Sequence, residues 1–148
     1  MHNQAKVCRE CVIDSLNANH LPKTEAAVRL ICMVCAHESG GFTYTKQVIG
    51  PALGLLQMEP LTYKDVSGYA LQKGYLKNLL PGPAERLIFD FYFAVAMARV
   101  FFLRIVEPLP NENDLKGLAR YAKKYWNTVK GKATEDMYLN AYIKWFGD

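Results

Sequence analysis

The sequence predicts a mainly helical fold with one small β element, a hairpin or irregular loop near residues 42–53. Three observations carry this. Apolar residues recur at helical spacing, or fill whole helical stretches, over residues 4–17, 25–36 and 87–106. Of the 148 residues 51% are apolar, and charge is neither scarce nor gathered into runs, which suits one globular domain with a sizeable core. Between Phe42 and Leu53 the pattern changes: Phe42, Thr43, Tyr44, Thr45, Val48 and Ile49 favour extended structure before Gly50-Pro51 breaks it.

Taken in order, Val7, Cys8, Cys11, Val12 and Leu16 predict a first helix from about Gln4 to Asn17. Asn17 to Pro22 reads as a turn. Thr24 is the expected N-cap of a second helix, with Glu25 favourably placed in its first turn. That helix is apolar almost all round through Ala36, which predicts deep burial, and Ser39-Gly40-Gly41 ends it. Helical signals return after Pro60 as two candidates, Leu61 to Val66 and Ser67 to Leu80. Pro81-Gly82-Pro83 is the clearest break, but the pieces beside it are too small to stand alone, so a single domain over residues 1–148 is expected. A buried helix over Leu87 to Val106 follows, then a loop from Pro108 to Asn113. Asp114 is expected to cap a helix reaching Lys124, and Thr134 or Glu135 opens the last one. There is no internal repeat.

The Leu87–Val106 stretch is not a membrane span, because Asp90, Arg99 and Arg104 are costly in lipid and Pro108 follows closely. Met1 to Lys6 lacks the basic-then-apolar layout of a secretory signal, so synthesis as a cytoplasmic product is expected. The formal net charge is +4, and basic residues gather only at Lys116, Arg120, Lys123, Lys124, Lys130 and Lys132. That is too diffuse to make nucleic-acid binding the main function, although it is compatible with another anionic polymer.

The residues that carry chemistry lie in Ala36-His37-Glu38-Ser39-Gly40-Gly41-Phe42 and Gly54-Leu55-Leu56-Gln57-Met58-Glu59-Pro60. Glu38 is placed at the C-terminal end of an apolar helix, facing the core on one side and the negative pole of the helix dipole. Both raise a carboxyl pKa, as a general acid working near neutrality requires. Glu38 as an ordinary surface residue at a helix end is the alternative.

Glu-Ser at a helix end, a β-rich stretch, then Gly-Leu-Leu-Gln and Pro resemble the lysozyme-like superfamily, in particular the soluble lytic transglycosylases. His-Glu-Ser-Gly-Gly-Phe, Glu107-Pro108-Leu109-Pro110 and Tyr121 to Thr128 are similar to segments of phage-encoded endolysins and lysozyme-like proteins. The likeness spans roughly residues 25–145 and implies the α+β lysozyme-like fold and cleavage of the glycan strands of bacterial peptidoglycan. It gives Glu38 the role of the single catalytic acid and makes Ser39 and Gln57 substrate-binding residues of the cleft. The family's late Tyr-Asn pair falls on Trp126-Asn127, a departure that leaves Tyr121 or Tyr125 to supply the phenol that holds the acid; ordinary helix packing is the alternative for all three aromatics. Asn127 is then a further substrate contact.

No carboxyl lies between Ser39 and Gln57, and the nearest acids are Glu59 and Asp65. Glycosidases that use two carboxyls need them at a set spacing. N-acetylmuramic acid can instead supply its own acetamido oxygen and 6-hydroxyl, which favours a lytic transglycosylase over a lysozyme-type muramidase. An inactive lysozyme-fold structural or wall-binding protein is the reading from another class. The resemblance further implies holin-dependent release or carriage in a virion, action as a monomer and no cofactor. Cys8-x2-Cys11 and Cys32-x2-Cys35 have the spacing of a zinc site, and two antiparallel helices could bring the four thiols together. Both pairs lie in apolar helical stretches, so reduced core cysteines are preferred, with zinc and a disulfide as alternatives. His2, His20 and His37 lack a consistent partner; His37, next to Glu38, could touch the cleft, but a surface position at the helix end is preferred.

Overall fold

A computed structural model describes residues 1–43, 50–128 and 131–147. Helices α1 (Asn3–Ala18) and α2 (Glu25–Glu38) pack against each other. α3 (Pro60–Lys73), a short α4 (Arg86–Phe89) and α5 (Phe91–Leu103) follow. Next come α6 (Leu115–Tyr121), which runs on into a π-helix (Ala122–Asn127), and α7 (Glu135–Phe146). α2 is the hub: α1, α5, α6, the π-helix and α7 all contact it.

The reason is visible in its side chains. Nine of the ten residues from Ala27 to Ala36 are buried, leaving only Arg29 partly exposed, so α2 cannot sit on the surface. Its start is fixed by Thr24, whose hydroxyl accepts from the Ala27 backbone N–H at 3.1 Å, the N-cap bond worth about 1 kcal/mol. Glu25 then bridges Arg9 of α1 and Arg29 one turn on. α5 is still more deeply enclosed, with every residue from Phe93 to Phe102 buried. Its one buried charge, Arg99, donates from Nε to the Pro22 carbonyl at 2.8 Å, so the guanidinium keeps a partner inside.

Three expectations require correction. The β element near residues 42–53 is not present among the described residues: Phe42 and Thr43 form a turn, Gly50 to Ala52 an irregular segment, and the one β pairing is an isolated antiparallel bridge between Leu53 and Met58. The rest of that expectation, residues 44–49, lies outside the described residues. β-branched and aromatic side chains favour a strand only where a partner strand covers them, and no strand is present among the described residues. The α+β class therefore gives way to a mainly helical one. The 61–66 and 67–80 candidates merge into α3, which ends at Gly74 in the left-handed conformation (φ 81°). The expected Leu87–Val106 helix is divided at Asp90, whose carboxylate caps α5 by accepting from the Phe93 N–H at 3.0 Å. No helix among the described residues is long and apolar enough to cross a membrane.

Candidate active site

Glu38 closes α2, and only 16% of its side chain remains exposed. α7 runs along α2 and brings Tyr138 to it; the phenol donates to Glu38 Oε1 at 3.0 Å. Burial lifts the carboxyl from its ordinary value of 4.5 to about 7, and the Tyr138 bond opposes that rise without cancelling it. Acid and carboxylate forms are therefore both populated at neutral pH. His37 packs its ring on Tyr138, with centroids 4.4 Å apart, and brings Nε2 to 3.7 Å from Glu38 Oε1. Burial lowers the imidazole pKa, which keeps it neutral near pH 7, so this approach is not an ion pair.

Beside Glu38 opens a cleft of about 980 Å³, lined among others by His37, Gln57, Glu59, Tyr125, Trp126 and Asn127. His37 is thus a partly buried wall residue, the alternative to the surface position preferred from the sequence. The Gln57 wall is a tight loop closed by the Leu53–Met58 bridge. Gly54 enters it at φ 79°, and a β-carbon there would run into the Leu87 carbonyl, so only glycine fits. Gln57 leaves it at φ 56°, a left-handed conformation costing a non-glycine residue about 1–2 kcal/mol. Its backbone N–H and side-chain Nε2 both donate to the Gly54 carbonyl, at 3.0 and 2.7 Å, which holds the strained residue in place. Trp126 ties this loop to the π-helix by donating from Nε1 to the Leu56 carbonyl at 3.1 Å, while its ring packs on Phe101 and Phe102.

Glu38, Gln57, Tyr125 and Asn127 are thus brought to one cleft, whereas Ser39 and Tyr121 do not line it. Ser39 is fully buried and its Oγ accepts from the Phe42 N–H at 2.6 Å, closing the turn after α2. Tyr121 is 2% exposed and donates to the Glu107 carbonyl at 2.8 Å. Tyr125 donates to the Glu107 carboxylate at 2.9 Å, which Lys124 also meets. Neither of these two phenols holds Glu38; Tyr138 does. The sequence offered one indirect signal for it. Tyr138, Tyr142 and Phe146 form the buried stripe of α7, and a buried tyrosine hydroxyl needs a partner.

The helical pairing of α1 with α2 brings Cys8 within hydrogen-bonding reach of Cys32 and Cys35. These contacts lower the Cys8 thiol pKa, while Cys35 is pushed up by its bond to Cys8 and by burial, and Cys32 chiefly by burial. Cys11 stays partly exposed, and all four thiols are free. Among the described residues no group of three or more His, Cys, Asp or Glu side chains is arranged to hold a metal ion.

No protein-family model, curated protein or solved structure matches this chain.

Proposed function

We propose that this protein cleaves the β-1,4 bond between N-acetylmuramic acid and N-acetylglucosamine in bacterial peptidoglycan. The observation that carries this is Glu38: a carboxyl on a cleft wall, held by a phenol, with its pKa brought to about 7 by burial. Such a group can protonate a departing glycosidic oxygen near neutral pH and then act as base. Gln57 and Asn127 line the same cleft and carry amides that can both donate to and accept from sugar hydroxyl and N-acetyl groups. With no second carboxyl at the family position, the substrate's acetamido oxygen stabilises the oxocarbenium-like centre and its 6-hydroxyl captures it. Glu38 takes the 6-hydroxyl proton, and the product is a 1,6-anhydro-N-acetylmuramic end. Action on the wall would follow holin-dependent release or delivery within a virion.

One observation favours a second reading. Glu59, the residue before α3, lines the cleft while Asp65 does not, so Glu59 is the candidate to activate water in a lysozyme-type muramidase. Two measurements test both readings: turbidity loss of outer-membrane-stripped Gram-negative cells, and mass spectrometry of the released muropeptides. Anhydro species, lighter by one water than their hydrolysed counterparts, are the expected result. Reducing ends alone would replace the transglycosylase by the muramidase. No released muropeptide at all would overturn both and leave a wall-binding structural protein.

A further inference from the structure

We propose that Arg104, at the end of α5, is a specificity-determining residue whose guanidinium binds a carboxylate carried by the glycan, so that the cleft takes an acidic strand in preference to a neutral one; this rests on the glycan reading above. Arg104 and the Phe101 ring beneath it both line the cleft. Arg104 Cζ stands 4.6 Å from the centre of that ring, and the ring packs in turn on Trp126, with centroids 4.8 Å apart. Phe101 is buried, and Trp126 Nε1 is bonded to the Leu56 carbonyl, so the stack is anchored in the wall that carries Gln57. A guanidinium held over an aromatic face has its fork of five N–H donors ordered before a ligand arrives.

Those donors are unspent. Arg9, Arg29 and Arg86 each reach a carboxylate, and Arg99 donates to the Pro22 carbonyl. Arg104 makes no hydrogen bond or ion pair with any described residue. Glu107, the nearest acid in sequence, is taken at Oε1 by Lys124 at 2.8 Å and Tyr125 at 2.9 Å. Glu38 and Glu59 share the cleft with Arg104, and neither forms an ion pair with it. Lys132 also lines the cleft and meets no carboxylate among the described residues. The cleft thus presents positive charge that these carboxyls do not neutralise.

The planar fork matches a carboxylate through two parallel hydrogen bonds. In the proposed substrate the carboxylates are the lactyl group of N-acetylmuramic acid or those of a peptide attached to it; a chain of N-acetylglucosamine alone has none. Arg104 also caps α5, where a cation meets the negative pole of the helix. That role requires neither the aromatic platform nor the cleft, and binding measurements separate the two.

The experiment is calorimetric titration of the whole protein as its Glu38→Gln variant, which stops turnover. The ligands are a glycan tetrasaccharide with free lactyl carboxylates, its methyl ester, the same tetrasaccharide bearing peptides, and the neutral N-acetylglucosamine tetramer. At least one carboxylate-bearing form is expected to bind about 10-fold tighter than the ester. Which form gains tells whether the lactyl or the peptide carboxylate is held. Arg104→Met, which keeps an unbranched stem over Phe101, should remove that gain and leave the ester's affinity unchanged. Arg104→Lys should recover only part of it, because a point charge cannot make the paired bonds. With Glu38 intact, Arg104→Met should raise KM for peptidoglycan about 10-fold with kcat unchanged. Acidic and neutral fragments bound alike, or a preference that survives Arg104→Met, overturn the role of Arg104 alone. An Arg104→Met variant that loses thermal stability and keeps the preference leaves Arg104 a helix partner only. Binding of no fragment, the neutral tetramer included, overturns the glycan reading and this proposal together.

Discussion

The two ends of α2 carry a glutamate each, and they are built on opposite rules. Glu25 lies in the first turn, at the positive pole of the helix, beside a Thr24 cap and between two arginines; its carboxyl is held below the ordinary range, chiefly by the Arg9 bond. Glu38 is the last residue, at the negative pole, buried, next to a neutral histidine, and its carboxyl is raised to about 7. One end obeys each local preference of a helix and the other violates them. Local rules broken at a cleft, while the rest of the element keeps them, are what make Glu38 the candidate for the proposed chemistry.

The sharpest way to break this comparison is Glu38→Gln. The amide is nearly isosteric and cannot give up a catalytic proton, so glycan cleavage is expected to fall by about 10²–10⁴-fold. Near-wild-type lysis by the folded variant would remove Glu38 from the chemistry.

The same variant should gain stability. The folded-state pKa of Glu38 is raised, so the protonated form is favoured by folding. Its contribution is complete below the unfolded value of 4.5 and is lost as pH rises through about 7. Above that, wild type keeps a buried charge that the Glu38→Gln variant lacks, a difference on the order of 3 kcal/mol in favour of the variant. Chemical denaturation at about pH 5 and about pH 8.5, on either side of the folded-state value, checks it. A variant no more stable than wild type on the alkaline side would mean the carboxyl is well solvated.

Much of this contrast is legible locally. Thr24, Glu25, the apolar run and Glu38 before Ser39-Gly40 lie close together in the chain, and propensity, capping and dipole rules act at that range. What fails to show is non-local or ambiguous. Tyr138 meets Glu38 across 100 residues of sequence, and no local pattern encodes that pairing. Tyr121 and Tyr125 are nearer in sequence to the position that the lysozyme-like resemblance implied, yet the π-helix and the turn before it direct both toward Glu107. Asp90 reads as a charge against membrane insertion, and its short carboxylate is also a helix cap splitting the apolar run. Phe42 to Leu53 has strand-forming residues, yet among the described ones no strand exists to receive them. Gly54 and Gln57 stand out in the sequence within Gly-Leu-Leu-Gln, but the Leu87 carbonyl that makes Gly54 obligatory comes from a distant segment.

At the obedient end the expected effects are smaller. Thr24→Ala removes the side-chain acceptor for the Ala27 N–H and should cost about 1 kcal/mol. Glycan cleavage per folded molecule should not change, because the cap is at the far end of the helix from Glu38. A variant that loses activity while retaining its melting temperature would show that the two ends are coupled through α2.

The smallest effect expected is that of Glu25→Gln, and its sign is opposite to that of Glu38→Gln. The folded-state pKa of Glu25 is depressed, so its stabilising contribution is present above the unfolded value of 4.5 and disappears as pH falls through the folded one. The side chains of Glu25, Arg9 and Arg29 each retain 28% exposure, and solvent screens the pairs, so the whole cluster is worth no more than about 1 kcal/mol. Near neutral pH the variant should therefore be less stable than wild type by a few tenths to about 1 kcal/mol. The gap should narrow in about 1 M salt, which shortens the range of the attraction, and close once the pH is below the folded-state value. Denaturation series across pH for both glutamine variants should then diverge in opposite directions above neutrality, Glu38→Gln lying above wild type and Glu25→Gln below it. If both variants lay on the same side of wild type at about pH 8.5, where both carboxyls are ionised, the contrast between the two ends of α2 would not be electrostatic.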